Sequence, residues 1–169
     1  IAKEMFNTLP ENDAFRKAYK EPELVKKMIA DGYTGRKGKG GFYRLDTTGG
    51  KKQKQVIHLK TGEYANEARV EVPAAELGKK GPRAVLEHDS DVARYAHAVM
   101  LKVLHYAASL IPEIADDIVA ADNGMKWGFN WKMGPFEMMD KIGTDWLIAE
   151  MKKAGMTIPK MLEHAAGKT

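Results

Sequence analysis

The chain contains no cysteine, which excludes disulfides, a thiolate nucleophile and Cys-ligated zinc. No apolar run approaches the roughly 20 residues that cross a bilayer, and no secretory leader pattern is present. Three catalytic or cofactor patterns are also missing: a Gly-x-Gly-x-x-Gly turn after a first strand, a Gly-x-Ser-x-Gly elbow and a His-Glu-x-x-His zinc helix. The composition that remains is that of a globular protein, 44% hydrophobic and 30% charged over 169 residues, enough for one or two small domains. The absence of cysteine fits a cytoplasmic setting.

Acidic charge is scarce in one stretch. Between Tyr33 and Lys60 eight basic residues face one acid, Asp46, a local charge of +7 that leaves −3 for the rest of a chain whose net charge is +4. A nucleic-acid surface would spread over the fold, so this concentration reads first as a solvated loop and second as a phosphate contact.

The spacing predicts a helix over Pro22–Asp31 with Leu24, Val25, Met28 and Ile29 inward and Gly32 ending it in the left-handed region. Ile1–Phe6 also has a helical pattern. A β-hairpin is expected over Lys54–Tyr64, turning at Thr61-Gly62, and a short helix from Val72 that breaks at Gly78–Pro82. Ser90–Leu110 is a helix capped by Asp89 or Ser90, and Val92, Ala96, Val99, Val103, Tyr106 and Leu110 recur as a packing seam. Further helices are expected from Ile111 to about Asn123, from Gly134-Pro135 to Gly143, from a Thr144 cap to Ala154, and from Thr157-Ile158-Pro159 onward. The fold class is therefore mainly α, a small antiparallel helical bundle with a β-hairpin insertion.

Few residues suggest chemistry. Glu113, Asp116, Asp117 and Asp122 are explained by the positive end of a helix rather than by a metal. His58, His88, His97, His105 and His164 have no ligand spacing; His97 and His105 are eight residues apart, too far for one ion. Trp127, Phe129, Trp131, Phe136 and Trp146 form an aromatic concentration that fits equally a core and docking surface or an apolar wall for an acyl chain. The Gly-rich basic segment 35–41 is neither a Walker loop nor a dinucleotide turn; it reads as a tight turn presenting Phe42 and Tyr43.

Two longer patterns carry more information. Met133-Gly134-Pro135-Phe136-Glu137-Met138-Met139-Asp140-Lys141-Ile142-Gly143 resembles the MGPFEL-x-D-x-x-G signature of the helical C-terminal domain of 3-hydroxyacyl-CoA dehydrogenases. Gly35-Arg36-Lys37-Gly38-Lys39-Gly40-Gly41-Phe42-Tyr43 resembles the segment that closes the same domain. The closing segment precedes the opening one, as if the tail of one domain copy preceded most of another. A short echo between Ile1–Met5 and Leu147–Met151 supports a repeat. The expected organisation is residues 1–43 as the tail of a first helical copy, 44–88 as an insertion with the hairpin, and 89–169 as a second copy. Both ends read as cut from a longer protein.

The resemblance implies a C-terminal fold of the 6-phosphogluconate-dehydrogenase type. It also implies an enzyme that oxidises (3S)-3-hydroxyacyl-CoA with NAD, in multidomain bacterial forms of fatty-acid β-oxidation. In that family the His–Glu pair, the substrate-positioning Asn and the NAD site lie in parts this chain does not contain. The resemblance therefore carries over no catalytic, cofactor-binding or metal residue, and it implies no NAD bound by these residues. It gives only structural signature positions: Gly35, Lys37, Gly40, Gly41, Phe42 and Tyr43 in the closing motif, and Gly134, Pro135, Phe136, Glu137, Asp140 and Gly143 in the opening one. The partners it implies are an acyl-CoA substrate, the protein's own Rossmann domain, and a homodimer or an internal pseudo-dimer, without nucleic acid or a membrane span. A non-catalytic assembly module within a β-oxidation protein is the alternative.

Overall fold

A computed structural model describes residues 2–168, and the chain divides into two compact units, Ile1–Val70 and Glu71–Thr169. Ile1, part of the expected first helix, lies outside the described residues.

In the first unit, helices α1 (Ala2–Thr8) and α2 (Ala14–Ala18) are joined by aromatic packing. Tyr19 stands 5.0 Å from the Phe6 ring, and Arg16 covers Phe6 while donating to the Leu9 carbonyl. Asp13 caps α2 by accepting from the Phe15 N–H. Helix α3 (Glu23–Ala30) starts after Pro22, carries the pairs Glu23–Lys26 and Lys27–Asp31, and ends where Gly32 turns through φ +85°. Of its expected inward face, Met28 is buried and Leu24 and Val25 partly so, but Ile29 is 56% exposed.

The β element is larger than a hairpin over 54–64. It is a three-stranded antiparallel sheet of β1 (Tyr43–Asp46), β2 (Gln53–Ile57) and β3 (Tyr64–Asn66), in the order β1-β2-β3. Tyr43 pairs with Val56 and Asp46 with Gln53; Ile57 pairs with Tyr64 across the turn at Gly62. The first strand escapes a pattern reading because Tyr43-Arg44-Leu45-Asp46 is exposed at Tyr43 and Leu45, so no apolar face marks it.

The second unit is helical. Short helices α4 (Pro73–Glu76) and α5 (Pro82–Leu86) flank a 3-10 turn at Leu77–Lys80. The long α6 (Asp91–Ser109), α7 (Ile118–Phe129), α8 (Pro135–Ile142), α9 (Thr144–Lys153) and α10 (Lys160–Ala165) follow. The core joins Leu101, Leu104 and Ala108 of α6 to Phe136, Met139 and Ile142 of α8, Leu147, Ile148 and Met151 of α9, and Leu162 of α10.

Four expectations need correction here. The buried stripe of α6 is Ala93, Leu101, Leu104 and Ala108, whereas the expected seam residues Val92, Val99 and Val103 are exposed. The two stripes lie side by side, and the alanines of the true one let neighbouring helices approach closely. Helix α7 begins at Ile118 rather than near Pro112, because the Asp117 carboxylate accepts from the Ala120 N–H and supplies the cap that Pro112 lacks. Thr144 does not cap α9; it is buried in the first turn, and Gly143, at φ +96°, makes the bend between α8 and α9. Segment 78–82 does not simply break a helix, since α5 starts at Pro82 itself.

Candidate functional site

The opening signature builds a buried corner between α7 and α8. Gly134 has no side chain with which to cap α8, so the cap comes from a neighbouring helix. Asp122 of α7, 5% exposed, accepts from the Phe136 N–H at 2.8 Å and from the Glu137 N–H at 3.0 Å. Glu137 closes the other half of the corner by accepting from the Gly134 N–H at 3.0 Å and from Lys126 of α7. These two contacts, the Lys126 hydrogen bond first, hold the Glu137 carboxyl below its ordinary value of 4.5.

Gly134 is required for space rather than for handedness. Its φ is −74°, an ordinary value, but a Cβ there would stand 2.2 Å from Asp122 Oδ1 and 2.4 Å from Asp122 Cα. The requirement for glycine at position 134 is the close approach of two backbones. Pro135 and Phe136 are buried behind this corner, Asp140 is exposed, and Gly143 sits at the bend. Each position of the opening signature except Asp140 thus has a place in the α7–α8 corner or at the bend that follows it.

The acidic cluster separates. Asp117 caps α7, Asp122 caps α8, and Glu113 and Asp116 are exposed. The dipole reading thus fails for Asp122, whose partners are on another helix. The sequence signal for it was a Gly-Pro helix start that lacks its own side-chain cap.

The histidines are dispersed. His97 Nε2 lies 3.2 Å from Glu150 Oε2, His105 Nε2 2.8 Å from the Thr157 carbonyl, and His88 Nδ1 3.0 Å from Ser90 Oγ. Among the described residues no three His, Asp or Glu side chains are placed to hold a metal ion. The aromatic concentration also divides. Phe136 is 3% exposed and Trp146 packs on the core under Arg83 and against His97, whereas Trp127 is 82% and Phe129 72% exposed, with Trp131 beside them in sequence and also exposed.

In the first unit the closing motif forms a tight turn, as expected. The Gly35 N–H donates to the Gly40 carbonyl at 2.7 Å, and Gly38 N–H returns to the Gly35 carbonyl. Gly40 lies against Arg44, whose Cβ would be 2.7 Å from a Cβ at position 40. Phe42 and Tyr43 point outward, 46% and 67% exposed; the ring that anchors the turn is Tyr64, whose hydroxyl donates to the Gly41 carbonyl at 2.6 Å. Arg44 is fixed on three sides. Its Nε donates to Gln55, its Nη1 to the Tyr33 hydroxyl at 3.1 Å, and its guanidinium lies 4.0 Å from the Tyr64 ring centre. Turn and sheet enclose an open cleft of about 1000 Å³ with Met28, Ile29, Phe42 and Tyr43 on its walls.

Comparison with known proteins places the helical unit. Residues 95–166 match the family described as 3-hydroxyacyl-CoA dehydrogenase, C-terminal domain. A Rickettsia felis protein named as a fatty acid oxidation complex trifunctional enzyme is 34% identical over 156 residues, covering 92% of this chain and 21% of the relative. A Bacillus subtilis protein named as a 3-hydroxyacyl-CoA dehydrogenase is 30% identical over 161 residues, covering 90% of this chain and 20% of the relative. The Rickettsia prowazekii counterpart of the first is 30% identical over 165 residues, 96% of this chain and 22% of the relative. The chain thus spans about a fifth of the length of each of these three relatives. No solved structure matches it. The matched stretch contains the Asp122–Gly134–Glu137 corner and the core of α6, α8, α9 and α10, and residues 95–166 belong to the C-terminal domain family of the 3-hydroxyacyl-CoA dehydrogenases.

Proposed function

We propose that this chain is the helical C-terminal portion of an NAD-dependent (3S)-3-hydroxyacyl-CoA dehydrogenase of fatty-acid β-oxidation, and that it closes the substrate cleft and pairs domains or subunits without supplying a reacting group. The family match over 95–166 carries the reading. In that reaction a base takes the hydroxyl proton while the C3 hydride passes to NAD. Both agents, and the NAD itself, belong to a Rossmann domain elsewhere in the polypeptide, in a cytoplasmic enzyme.

What the helical unit offers is a covering surface. The exposed stripe of α6 (Val92, Tyr95, Val99, Val103) and the aromatic residues Trp127 and Phe129 at the end of α7 are apolar groups left without partners in the unit's own core. Such a surface serves to exclude water from a cleft or to meet a second helical domain. In the repeat reading, residues 1–43 end a first helical copy, 44–88 are an insertion, and 89–169 form the second copy that meets it. The signature residues from Gly134 to Gly143 shape the α7–α8 corner, and Gly35 to Tyr43 shape the closing turn.

Purified chain mixed with NAD and a 3-hydroxyacyl-CoA is expected to give no NADH absorbance, and the coding sequence upstream is expected to encode a strand–Gly-x-Gly-x-x-Gly–helix unit. Sustained turnover by the chain itself, or an upstream sequence without that unit, refutes the proposal.

A further inference from the structure

We propose that the cleft between the Gly-rich turn and β1 in the first unit is a binding site for a nucleoside diphosphate-type ligand, a flat ring joined to two or more phosphates. The cleft lies outside residues 95–166, so this proposal does not rest on the dehydrogenase reading.

Charge is the first argument. Arg36, Lys39, Arg44 and Lys54 line the cleft against one acid, Glu67, a balance of +3. The one internal neutralisation is weak, because Lys54 Nζ and Glu67 Oε2 are 4.0 Å apart and both side chains are largely in solvent. Arg36 and Lys39 have no ion pair or hydrogen bond from their side chains among the described residues. A balance of +3 in one concavity suits a ligand of two or three negative charges, which a diphosphate supplies.

Preorganisation is the second. Gln55 and the Tyr33 hydroxyl hold Arg44 from two directions and the Tyr64 ring lies under it, so its fork is aimed before any ligand arrives. Gln55 is itself tied to Asp46 and Asn66, which extends the support across the sheet. Nη2 has no hydrogen bond among the described residues and remains available for a phosphate oxygen. The turn contributes through what it lacks: glycines at 35, 38, 40 and 41 put no side chain between backbone and ligand.

Size and wall chemistry are the third. About 1000 Å³ is far more than an orthophosphate needs and is at the upper end of small-molecule sites. The exposed rings of Phe42 and Tyr43 and the side chains of Met28 and Ile29 offer the apolar faces on which a nucleobase rests, while the cations meet the phosphates.

The test is titration calorimetry of the 169-residue chain with ADP, pyrophosphate and adenosine at about 0.1 M salt. ADP is expected to bind one per chain, pyrophosphate about tenfold more weakly, and adenosine more weakly still. Lys39→Glu and Arg36→Glu, both on the exposed turn, are expected to weaken ADP about tenfold each with unchanged circular dichroism. Lys51→Glu and Lys52→Glu, which make the same charge change outside the cleft, are expected to change it by less than threefold. Absence of ADP binding at millimolar concentration, equal loss in the Lys51 and Lys52 variants, or adenosine or pyrophosphate binding as tightly as ADP overturns the proposal.

Discussion

Replacing Asp122 by Ala tests whether the α7–α8 corner is held by one buried carboxylate. The Phe136 and Glu137 N–H groups each donate to it, at 2.8 and 3.0 Å, and its residue is 5% exposed. A hydrogen bond to a charged partner contributes about 1.5–3 kcal/mol, and a helix cap removed by mutation costs about 0.5–2 kcal/mol. Because Gly134 has no side chain and the pocket has little access for water, both donors are left unpaired. The expected loss is about 3 kcal/mol, toward the sum of the two bonds rather than the price of an exposed cap. For a unit of this size each kcal/mol lowers Tm by about 4–8 °C, so the variant should melt at least 10 °C below the parent. The exposed Asp116→Ala is the control and should stay within about 0.5 kcal/mol. The partner variant sharpens the test. Gly134→Ala places a Cβ 2.4 Å from Asp122 Cα as well as against its carboxylate, so removing the carboxylate does not relieve it. The double variant Asp122→Ala/Gly134→Ala is therefore expected to be less stable than either single one. Thermal and urea melts of the four proteins give the cycle. An Asp122→Ala protein that melts with the parent, or a double variant restored to the Asp122→Ala midpoint, refutes the reasoning.

Phe136 of α8, 3% exposed in the shared core, should cost about 3–5 kcal/mol as Phe136→Ala in denaturant melts, while the exposed Lys153→Ala stays within about 1 kcal/mol. Glu150 accepts from Lys153, lies near His97, and is held below its ordinary value of 4.5, chiefly by the Lys153 hydrogen bond. A lowered folded value means that ionised Glu150 stabilises the fold at pH above about 4.5 and that this contribution is lost as the pH falls through the folded value. Glu150→Gln should therefore lower the urea midpoint at pH 6 and converge on the parent toward pH 3; a constant difference across that range counts against it.

The sequence by itself determined the helices whose ends it marks chemically. Ser90 before Asp91, Gly134-Pro135 before Phe136 and Gly32 after α3 each carry the acceptor, the fixed φ or the free φ that a helix end needs, and each boundary falls within a residue or two of its expected place. The two family patterns were likewise legible, because they record local geometry: a Gly-Pro helix start, and a glycine turn closing on itself at Gly35 and Gly40.

Tertiary structure alone decided which faces those helices use and who caps whom. Helix α6 carries two adjacent apolar stripes, and periodicity has no means to choose between them; the approach of α8, α9 and α10 to Leu101, Leu104 and Ala108 selects one and leaves Val92, Val99 and Val103 in solvent. Asp122 reads as one more acid near a helix start until α8 is set beside it, when its two oxygens become the cap for a helix in another part of the sequence. Likewise Tyr64, Tyr33 and Gln55 show no common purpose in the chain, and only the pairing of β1, β2 and β3 brings them around Arg44. Contacts between residues ten or more positions apart depend on how elements pack, and local pattern carries no record of that packing.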